Sequence, residues 1–484
     1  MRTEIKTYDV VIIGGGVIGT SIARELSRYK IDVALLEKEI ELAFGVSKSN
    51  SGIIHPGTQN LPGSLKGRLC VQGNILTRRI AKELGVEFQE VGELIVAFNK
   101  EENSRLFELK KEAETMGVPG LRIVGGDWLR ENEPNLNGEA IAALYAPTAG
   151  IISPYRLVYA LAENAVKNGV EIHVLTAVEG IKFLKDDKYK FDVITSRGVF
   201  RARFIINAAG LYADKIASMA GVSDLKITPR KGEEFILDKK KENLTRHLLF
   251  PLPSKTSKGI LVTRTSDGNP MIGPTVQDVE DKEDLLTSDE GYKKVVSAAR
   301  RLVPSINKND IITYFAGLRP VCGDDFIVRH ENNVPGFVNV VGIQSPGLTA
   351  APAIAGMVKK ILENNGLDMK KKFFFKRYQG KVTHLFSKSL YKIKKLVKRD
   401  HAYGDILCRC EMVSVKEVKD AIKRGARTMD GIKFRTRAQG GRCHGGFCTT
   451  RIMKILAEET NVPITELTKR GAGSEIVKEE RGND

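Results

Sequence analysis

Hydrophobic and polar positions near the start of the chain predict a strand, a tight turn, a helix and a second strand. Residues 8–13 form a β-rich apolar run, residues 17 to 29 alternate as an amphipathic helix does, and residues 31–37 form a second apolar run. The turn before the helix is glycine-rich, Gly14-Gly15-Gly16-Val17-Ile18-Gly19. Such a unit is typical of an α/β domain built on a parallel sheet.

Further α/β segments follow along the chain. A helix is predicted over 155–168, strands over 170–175 and 204–206, and a third α/β piece over 313–366, whereas 92–145 and 229–301 mix short strands and helices with charged turns. We predict an α/β fold in which a Rossmann-like dinucleotide-binding domain (about 1–80, 150–215 and 310–366) is interleaved with an α+β substrate domain (about 81–149 and 216–309). A linker (367–402), a small helical domain (403–465) and a polar tail (466–484) complete the prediction.

The glycine turn carries specific chemistry. Gly14, Gly16 and Gly19 fit the spacing G-x-G-x-x-G, and Glu37 ends the second strand. The first two glycines let the backbone approach a pyrophosphate that is bound by the amides of the helix N-terminus, and the third lets the helix and the strand pack closely. The carboxylate of Glu37 would accept hydrogen bonds from a ribose. The pattern therefore predicts dinucleotide binding, against the alternative of a turn that only packs.

Composition limits the classes of protein. A chain of 484 residues has room for about three domains, and no apolar run approaches the ~18 to 20 residues of a membrane span. The net charge is +17, and the segment 370–399 holds twelve Lys or Arg and no acid. Because this charge lies in one linker without a recognised binding fold, nucleic acid binding is not expected.

The basic linker also shows a helical pattern. Apolar residues recur on one side and basic residues on the other: Phe386, Leu390, Ile393 and Val397 against Lys388, Lys392, Lys395 and Arg399. A basic amphipathic helix can lie on a membrane surface or dock an acidic partner. The preferred interpretation is a linker helix that packs on its own domains.

Four of the six cysteines lie close together in sequence, as Cys408-Arg-Cys410 and Cys443-x4-Cys448, while Cys70 and Cys322 are isolated and are predicted to be buried thiols. Four thiolates suit an iron-sulfur cluster; a closed zinc site and disulfides are the alternatives. Zinc is less favoured because one pair is C-x-C, and disulfides because the first residues do not resemble a signal peptide, which suggests a reducing, cytoplasmic setting.

Several motifs give the first 365 residues a family resemblance. The glycine turn with Glu37, Gly45-Val-Ser-Lys-Ser-Asn-Ser-Gly-Ile-Ile-His55, Asn207-Ala-Ala-Gly210, Gly317-Leu-Arg-Pro320 and Ser345-Pro-Gly-Leu-Thr349 together resemble the flavin-dependent dehydrogenases of the D-amino-acid-oxidase and glycerol-3-phosphate dehydrogenase superfamily. The resemblance implies an FAD cofactor. The residues it implies as FAD-binding are Gly14, Gly16, Val17, Ile18, Gly19, Glu37, Lys38, Ser47, Ser49, Asn50, Ser51, Val178, Ala209, Gly210, Ser345, Gly347, Leu348 and Thr349.

The C-terminal cysteines resemble a second family, the bacterioferritin-associated-ferredoxin-like domains that bind a 2Fe-2S cluster. This implies Cys408, Cys410, Cys443 and Cys448 as the iron ligands, and it favours iron over zinc. His444 departs from the Gln usual in these relatives, and we expect it to be a surface residue or to lie behind the ligands. A flavin domain followed by such a domain is the layout of anaerobic glycerol-3-phosphate dehydrogenases.

The superfamily resemblance also implies a catalytic site. His55 would lie beside the flavin as the base that takes a proton, or would only hydrogen-bond the cofactor. Arg319 resembles the arginine that clamps an anionic substrate, with a structural salt bridge as the alternative. Arg264 is a candidate second cation, with an equally weighted surface alternative. The helix after Thr349 would favour negative charge at the pyrimidine end of the flavin.

Three functions remain open at this stage. The layout implies oxidation of sn-glycerol 3-phosphate, with electrons passing through the cluster to a partner flavoprotein or quinone-linked subunit. The Asn-Ser-Gly and Ser-Pro motifs look more like L-2-hydroxyglutarate dehydrogenase, and so favour a 2-hydroxy acid. A non-catalytic electron-relay subunit is the third. We expect a cytoplasmic protein, held at the inner face of the membrane through its partner or its basic linker if it contacts the membrane.

Overall fold

A computed structural model describes residues 5–186, 188–254, 258–380 and 382–478. Its helices, in chain order, are α1 (Val17–Leu26), α2 (Leu65–Leu84), α3 (Lys100–Thr115), α4 (Gly126–Asn132), α5 (Pro154–Lys167), α6 (Ala213–Met219), α7 (Asp289–Leu302), α8 (Gly347–Asn364), α9 (Leu390–Arg399), α10 (Val415–Lys423), α11 (Met429–Thr436) and α12 (Thr449–Thr460).

The strands alternate with these helices. In chain order they are β1 (Lys6–Ile13), β2 (Val33–Leu36), β3 (Ile53–Ile54), β4 (Phe88–Glu90), β5 (Glu93–Ala97), β6 (Arg122–Gly125), β7 (Ala142–Ala146), β8 (Gly150–Ile152), β9 (Glu171–His173), β10 (Val178–Phe183), β11 (Phe191–Thr195), β12 (Gly198–Asn207), β13 (Thr228–Leu237), β14 (Leu248–Pro251), β15 (Leu261–Arg264), β16 (Pro270–Gly273), β17 (Gln277–Asp278), β18 (Ile311–Val321), β19 (Ile327–His330), β20 (Phe337–Val341), β21 (Ile406–Cys408) and β22 (Val413–Ser414).

The chain divides into two compact units. The first comprises residues 1–36, 43–172 and 178–379, and the second comprises 37–42, 173–177 and 380–484. Residues 466–478 of the predicted polar tail lie in the second unit, and residues 479–484 are outside the described residues.

The nucleotide-type sheet of the first unit has the order β10-β11-β12-β1-β2-β9, with β20 beside β12 and β19 beside β20. Strand β1 pairs in parallel with β2 and β12, and β12 with β20. Because β1 is buried between two parallel neighbours, its sequence is a continuous apolar run and does not alternate between apolar and polar residues. This is the Rossmann-like core predicted from the glycine turn, and it is confirmed.

A second sheet forms the α+β part, in the order β17-β13-β16-β15-β14-β5-β7-β6, with β18 paired to β13. The long β13–β18 ladder is antiparallel and sets Arg230 opposite Arg319, Gly232 opposite Gly317, and Glu234 opposite Phe315. Directly opposed residues share a face of the sheet. This register therefore places chemically important side chains on one face.

The second unit is small and mostly helical. Strands β21 and β22 pair, and α10, α11 and α12 enclose an apolar core that includes Val418, Ile432 and Ile452, each 0% exposed. Helix α10 begins with a capping box, in which Ser414 and Glu417 each satisfy the other's backbone amide. Along the chain, α10 lies between the two cysteine pairs.

The linker prediction needs a correction. Helix α9 begins at Leu390, so Phe386 lies outside it, and both Phe386 and Leu390 are exposed, at 45% and 77%. The partly buried side of α9 is formed by Ile393, Leu396 and Val397. Apolar spacing alone therefore overestimated the packed stripe, because the sequence does not show where the helix starts. Within the described part of the chain, no helix is long and apolar enough to cross a membrane.

Candidate active site and cluster site

The glycine turn leaves room for a ligand at the start of α1. Gly14 has φ +113°, and a side chain at Gly14 would overlap the carbonyl of Ala208, while one at Gly19 would overlap the carbonyl of Gly14. The N-cap residue of α1, Gly16, offers no side chain to the first amides. The turn is tight, it lies close to the end of β12, and the N-cap residue has no side chain that could cap the first amides of α1. These features fit a pyrophosphate bound at a helix N-terminus.

The loop after this unit lies against α1 and β18. Ser47 Oγ accepts a hydrogen bond from Val17 N at 2.9 Å. A Cβ at Gly317 would lie 2.6 Å from Ser49 Oγ, so the strand passes close to the loop. Asn50 Oδ1 accepts from Gly52 N at 2.8 Å. These contacts fix the backbone conformation of the loop that carries the predicted FAD-binding residues. Ser51, in the same loop, is half-buried.

The start of α8 fixes the end of the same loop. Thr349 Oγ1 accepts from His55 N at 2.9 Å and donates to Ile53 O at 3.4 Å. The N-cap residue Pro346 gives α8 no side-chain cap, and Gly347 N donates to Gln344 O at 2.6 Å. Thr349 thus brings together two motifs that are distant in sequence. The structure places the His55 backbone beside the N-terminal turn of α8.

His55 is 9% exposed and lies near a buried carboxylate. Its Nδ1 is 3.9 Å from Oε2 of Glu93, and its ring centroid is 6.2 Å from that of Phe250. Burial and the nearby charge of Lys258 lower the pKa of His55 to about 4, against the opposing effect of Glu93. The imidazole is therefore neutral at physiological pH and can accept a proton.

Glu93 is a residue that the sequence prediction missed. It is 0% exposed in β5, and its Oε1 accepts from Thr58 Oγ1 at 2.5 Å, while Oε2 has no hydrogen-bond partner among the described residues. A buried carboxylate is costly unless paired. Its signal in the sequence is one acid inside the apolar run Glu93-Leu-Ile-Val-Ala. Its position suits a group that orients the imidazole of His55 and stabilises its positive charge.

Arg319 lies along the inner face of the β13–β18 ladder. Its Nη2 donates to Thr275 O at 2.9 Å, and a Cβ at Gly232 would overlap the same Nη2. Because Gly232 has no side chain, it leaves the space that the guanidinium of Arg319 occupies. Burial lowers the pKa of Arg319, against the opposing charge of Glu234.

Glu234 and Lys258 complete this charged surface, and both were missed in the sequence. Burial raises the pKa of Glu234 to about 8, against the opposing charge of Arg319. Burial lowers the pKa of Lys258, which interacts electrostatically with Cys70, Glu93 and Arg319. Lys258 interacts electrostatically with both His55 and Arg319, and Arg319 interacts with Glu234, so these ionisable side chains lie in one region of the first unit.

The remaining predicted residues lie in several places. Arg264 Nη2 donates to Gln89 Oε1 at 2.9 Å, so its contact is with β4. Val178 pairs with Thr195 at the start of β10. Ala209 and Gly210 follow β12 after Ala208, whose carbonyl lies close to Gly14. Cys70 and Cys322 are 0% and 7% exposed, which confirms the prediction of buried thiols.

Glu37 and Lys38 directly follow β2 and belong to the second unit. Glu37 Oε1 accepts from Glu39 N at 2.9 Å. In the same short segment, Glu41 is 2% exposed and accepts from Arg435 Nη1 at 2.7 Å and from Arg427 N at 2.8 Å. This buried, hydrogen-bonded ion pair attaches the segment to the helices of the small unit. The same segment contains Glu37, the residue predicted to bind a ribose.

The four clustered cysteines pair across the sequence motifs. Cys410 Sγ lies 3.5 Å from Cys443 Sγ, and Cys408 shares a hydrogen bond with Cys448. Among the described residues, no group of three or more Cys, His, Asp or Glu side chains converges on the position of one ion. Two pairs of thiols fit a cluster in which each of two irons takes two protein ligands.

Backbone amides surround these thiols. The hydrogen bond from Cys448 and the amides of Gln439, Glu411 and Cys410 lower the pKa of Cys408 to about 6, against burial. For Cys443, burial opposes ionisation, but the hydrogen bond from Cys410 and the amides of Gly445 and Phe447 lower its pKa. Amides directed at sulfur stabilise thiolates, the form that binds iron.

The cluster site is open on one side. Cys408 and Cys448 are each 1% exposed, whereas Cys410 is exposed and Cys443 is half-buried. The exposed rim carries Arg409, Met412 and Phe447, the last at 85% exposure. His444 is exposed with φ +49°, in line with its prediction as a surface residue. Arginine, methionine and aromatic side chains are enriched at the cores of protein interfaces.

Two protein families match this chain. Residues 9–361 match the family described as FAD dependent oxidoreductase, and residues 406–458 match the BFD-like [2Fe-2S] binding domain. The chain is 44% identical to a glycerol 3-phosphate dehydrogenase of Caloramator mitchellensis over 97% of its own length and 98% of that relative.

Two other relatives each match about three quarters of the chain. An L-2-hydroxyglutarate dehydrogenase of Indibacter alkaliphilus is 31% identical over 72% of this chain and 98% of its own length. The structure of the L-alpha-glycerophosphate oxidase from Mycoplasma pneumoniae, solved with FAD bound, superposes with a TM-score of 0.74 at 33% identity, over 78% of this chain and 100% of that one. The glycine turn, the two helix N-termini and the paired thiols fit the two cofactors that the matched families bind, FAD and a 2Fe-2S cluster.

Proposed function

The chain belongs to the FAD dependent oxidoreductase family, and from that membership we propose that it oxidises sn-glycerol 3-phosphate to dihydroxyacetone phosphate. The observation that carries the proposal is the grouping of Arg319 and Lys258 with the buried, neutral His55, since Lys258 interacts electrostatically with both of the others. A glycerol 3-phosphate dehydrogenase that is 44% identical over both domains supports this substrate.

Each residue then has a defined task. Arg319 and Lys258 hold the phosphate through charge-assisted hydrogen bonds, and so orient the carbinol toward His55. His55 takes the proton of the hydroxyl, and Glu93 stabilises the imidazolium that results. When bound, FAD supplies the acceptor for the hydride of the carbinol carbon. The amides at the starts of α1 and α8, with Ser47, Ser49 and Thr349, would hold that cofactor.

Electrons are proposed to leave through the second unit to a partner protein. When bound, the 2Fe-2S cluster supplies a one-electron outlet. Cys410 and Cys443 form the exposed pair of ligands, and the rim of Arg409, Met412 and Phe447 has the composition of a protein docking surface. We propose a cytoplasmic enzyme whose acceptor, a flavoprotein or quinone-linked subunit, docks at this rim.

The substrate is tested by anaerobic mixing of the purified enzyme with one substrate at a time. Glycerol 3-phosphate is expected to bleach the flavin absorbance, and L-2-hydroxyglutarate to leave it unchanged. Bleaching by L-2-hydroxyglutarate alone would instead support a 2-hydroxy acid dehydrogenase, which the Ser345-Pro-Gly-Leu-Thr349 motif and the relative from Indibacter alkaliphilus favour. No bleaching by either would leave the non-catalytic relay subunit.

Glu234 is expected to make substrate binding weaken in alkali. Below pH about 8 its carboxyl is neutral, so Arg319 keeps its full charge; above that pH the carboxylate forms and cancels the charge. KM for glycerol 3-phosphate should therefore rise by about tenfold as the pH passes 8, the effect of one weakened charged hydrogen bond. In Glu234→Gln the KM should stay low over the same range. Parallel pH profiles of the two proteins would contradict this assignment.

Gly232 is expected to determine the position of Arg319. In Gly232→Ala the new methyl group displaces the guanidinium, because the end of a flexible side chain yields before the strand does. We expect KM to rise by about 10- to 100-fold, with FAD content unchanged. Gly180→Ala is the matched control, since a Cβ there meets only Ile194 Cδ1 at an ordinary 3.8 Å. Equal KM values for the two variants would show that Arg319 does not bind the phosphate.

A further inference from the structure

Helix α2 contacts the backbone of His55 through one stripe of side chains. Cys70, Asn74 and Arg78 are spaced four residues apart, so they lie along the same side of the helix. Cys70 Sγ donates to His55 O at 3.6 Å, and Arg78 Nη2 donates to Thr148 O at 2.6 Å. Asn74, between them, contacts both carbonyls: its Nδ2 donates to His55 O at 3.0 Å and to Thr148 O at 2.9 Å. One side-chain amide therefore joins the candidate base to the turn between β7 and β8.

This bridge lies where backbone pairing stops. Strand β3 ends at Ile54, which pairs with Gly150 of β8, and His55 is the next residue. Beyond this last pair, the Asn74 amide donates its two hydrogens to carbonyl oxygens of the two chain segments, one on each. Asn74 is 4% exposed, and hydrogen bonds that are removed from water are electrostatically stronger. Asn74 thus continues the work of the ladder and holds the two segments together.

The imidazole of His55 depends on this backbone for its direction. Its Nδ1 is 3.9 Å from Glu93 Oε2, beyond the usual range of a hydrogen bond, so this contact alone fixes the ring weakly. The His55 amide donates to Thr349 Oγ1 at 2.9 Å, and its carbonyl accepts from Asn74. Pro56 restricts His55 to an extended conformation. A shift of about 1 Å in a reacting group can lower the rate by about 10²-fold, so the position of the His55 carbonyl matters for proton transfer.

The same helix supports the other backbone contact of His55. A Cβ at Gly73 would lie 2.1 Å from Thr349 O, so α2 packs closely against the first turn of α8. Thr77 Oγ1 donates to the same carbonyl at 3.4 Å. Because Gly73 and Asn74 are adjacent, α2 sets the spacing between the two elements that hold the His55 amide and the His55 carbonyl.

We propose that Asn74 is a positioning residue for the proton transfer and that it acts by fixing the His55 carbonyl. The assignment rests on the proposed function, in which His55 is the base. Without the amide of Asn74, His55 O keeps the weak thiol donor of Cys70, and the loop relaxes. The imidazole then reaches the substrate hydroxyl less often. Flavin reduction slows, whereas substrate affinity, which is set by Arg319 and Lys258, stays nearly the same.

The experiment compares flavin bleaching by glycerol 3-phosphate in FAD-loaded variants of the full chain. Asn74→Leu has a similar size and removes both donors, so it should lower the limiting rate by about 10- to 100-fold, with the half-saturating substrate concentration changed by less than about threefold. Asn74→Asp keeps the shape and donates one hydrogen when protonated, so its rate should lie between. In a His55→Asn background, Asn74→Leu should change the rate by less than about twofold, because no base remains to be misplaced.

Asn168→Leu is the matched control. Asn168 is also buried, at 8% exposure, and its Nδ2 donates to two carbonyls outside the candidate site, Asn164 O at 2.9 Å and Lys376 O at 3.1 Å. This variant should bleach at the rate of the unmodified enzyme, even if its melting temperature falls as far as that of Asn74→Leu. FAD content and thermal unfolding are measured for every variant. If Asn74→Leu fails to hold FAD, Asn74→Asp carries the same comparison.

The outcomes separate the role of Asn74 from the proposed oxidation. An unchanged rate in both Asn74 variants, an equal loss in Asn168→Leu, or an equal loss in the His55→Asn background would overturn the role of Asn74 alone. An unmodified enzyme whose flavin is reduced by neither glycerol 3-phosphate nor L-2-hydroxyglutarate would overturn the proposed function, and the role of Asn74 with it.

Discussion

Replacing His55 with Asn is expected to lower kcat by about 10²- to 10⁴-fold, the usual contribution of a positioned general base. The amide of Asn keeps a polar group beside Glu93 but cannot take the proton of the substrate hydroxyl. The measurement is the rate of flavin bleaching by glycerol 3-phosphate in FAD-loaded protein. A variant that bleaches at the normal rate but retains less FAD would show that His55 only binds the cofactor.

The pH dependence gives a second test of the same residue. Because the pKa of His55 is lowered to about 4, the neutral base persists in mild acid, and kcat/KM should not decline as the pH falls through 6.5. The unfolded chain binds this proton more tightly than the folded one. Stability should therefore fall as the pH drops from about 6.5 toward 4, and His55→Asn should lose that part of the slope.

Replacing Cys443 with Ser is expected to abolish the cluster and with it the delivery of electrons to a protein acceptor. Iron content should fall from about two atoms per chain to near zero, because one iron loses a thiolate ligand. Flavin bleaching by substrate should continue, since the residues proposed to hold and deprotonate the substrate lie in the first unit. Iron analysis and reduction of the acceptor protein measure the two effects. Cys322→Ala, at a cysteine outside the quartet, is the control and should keep both.

A companion variant separates the cluster from its docking rim. Phe447→Ser should retain iron, because the side chain is 85% exposed and is not a ligand. Transfer to the protein acceptor should slow, whereas reduction of a small dye should not change, since only a protein needs the apolar contact. If Phe447→Ser supports transfer to the protein acceptor at the normal rate, the rim is not the docking surface.

The sequence by itself determined the parts whose signals are local. The glycine turn predicted the first strand, helix and strand, because a tight turn and a helix start depend on neighbouring residues. Motif resemblance indicated both matched families, and apolar isolation marked Cys70 and Cys322 as buried. Helix ends and the packed stripe of α9 were less accurate, because the positions of helix termini depend on contacts that the local pattern does not contain.

Only the tertiary structure decided which chemical groups lie together. Glu93 lies in β5, Lys258 in the loop before β15 and Glu234 in β13. The pairing of β13 with β18 explains why Glu234 lies near Arg319, a proximity that the local sequence does not show. Burial then changes proton affinity, so that His55 is neutral and Glu234 is protonated at neutral pH, a state that no residue type predicts alone. The cysteines show the same limit: neighbours in sequence, Cys408 and Cys410, each pair with a distant cysteine in space.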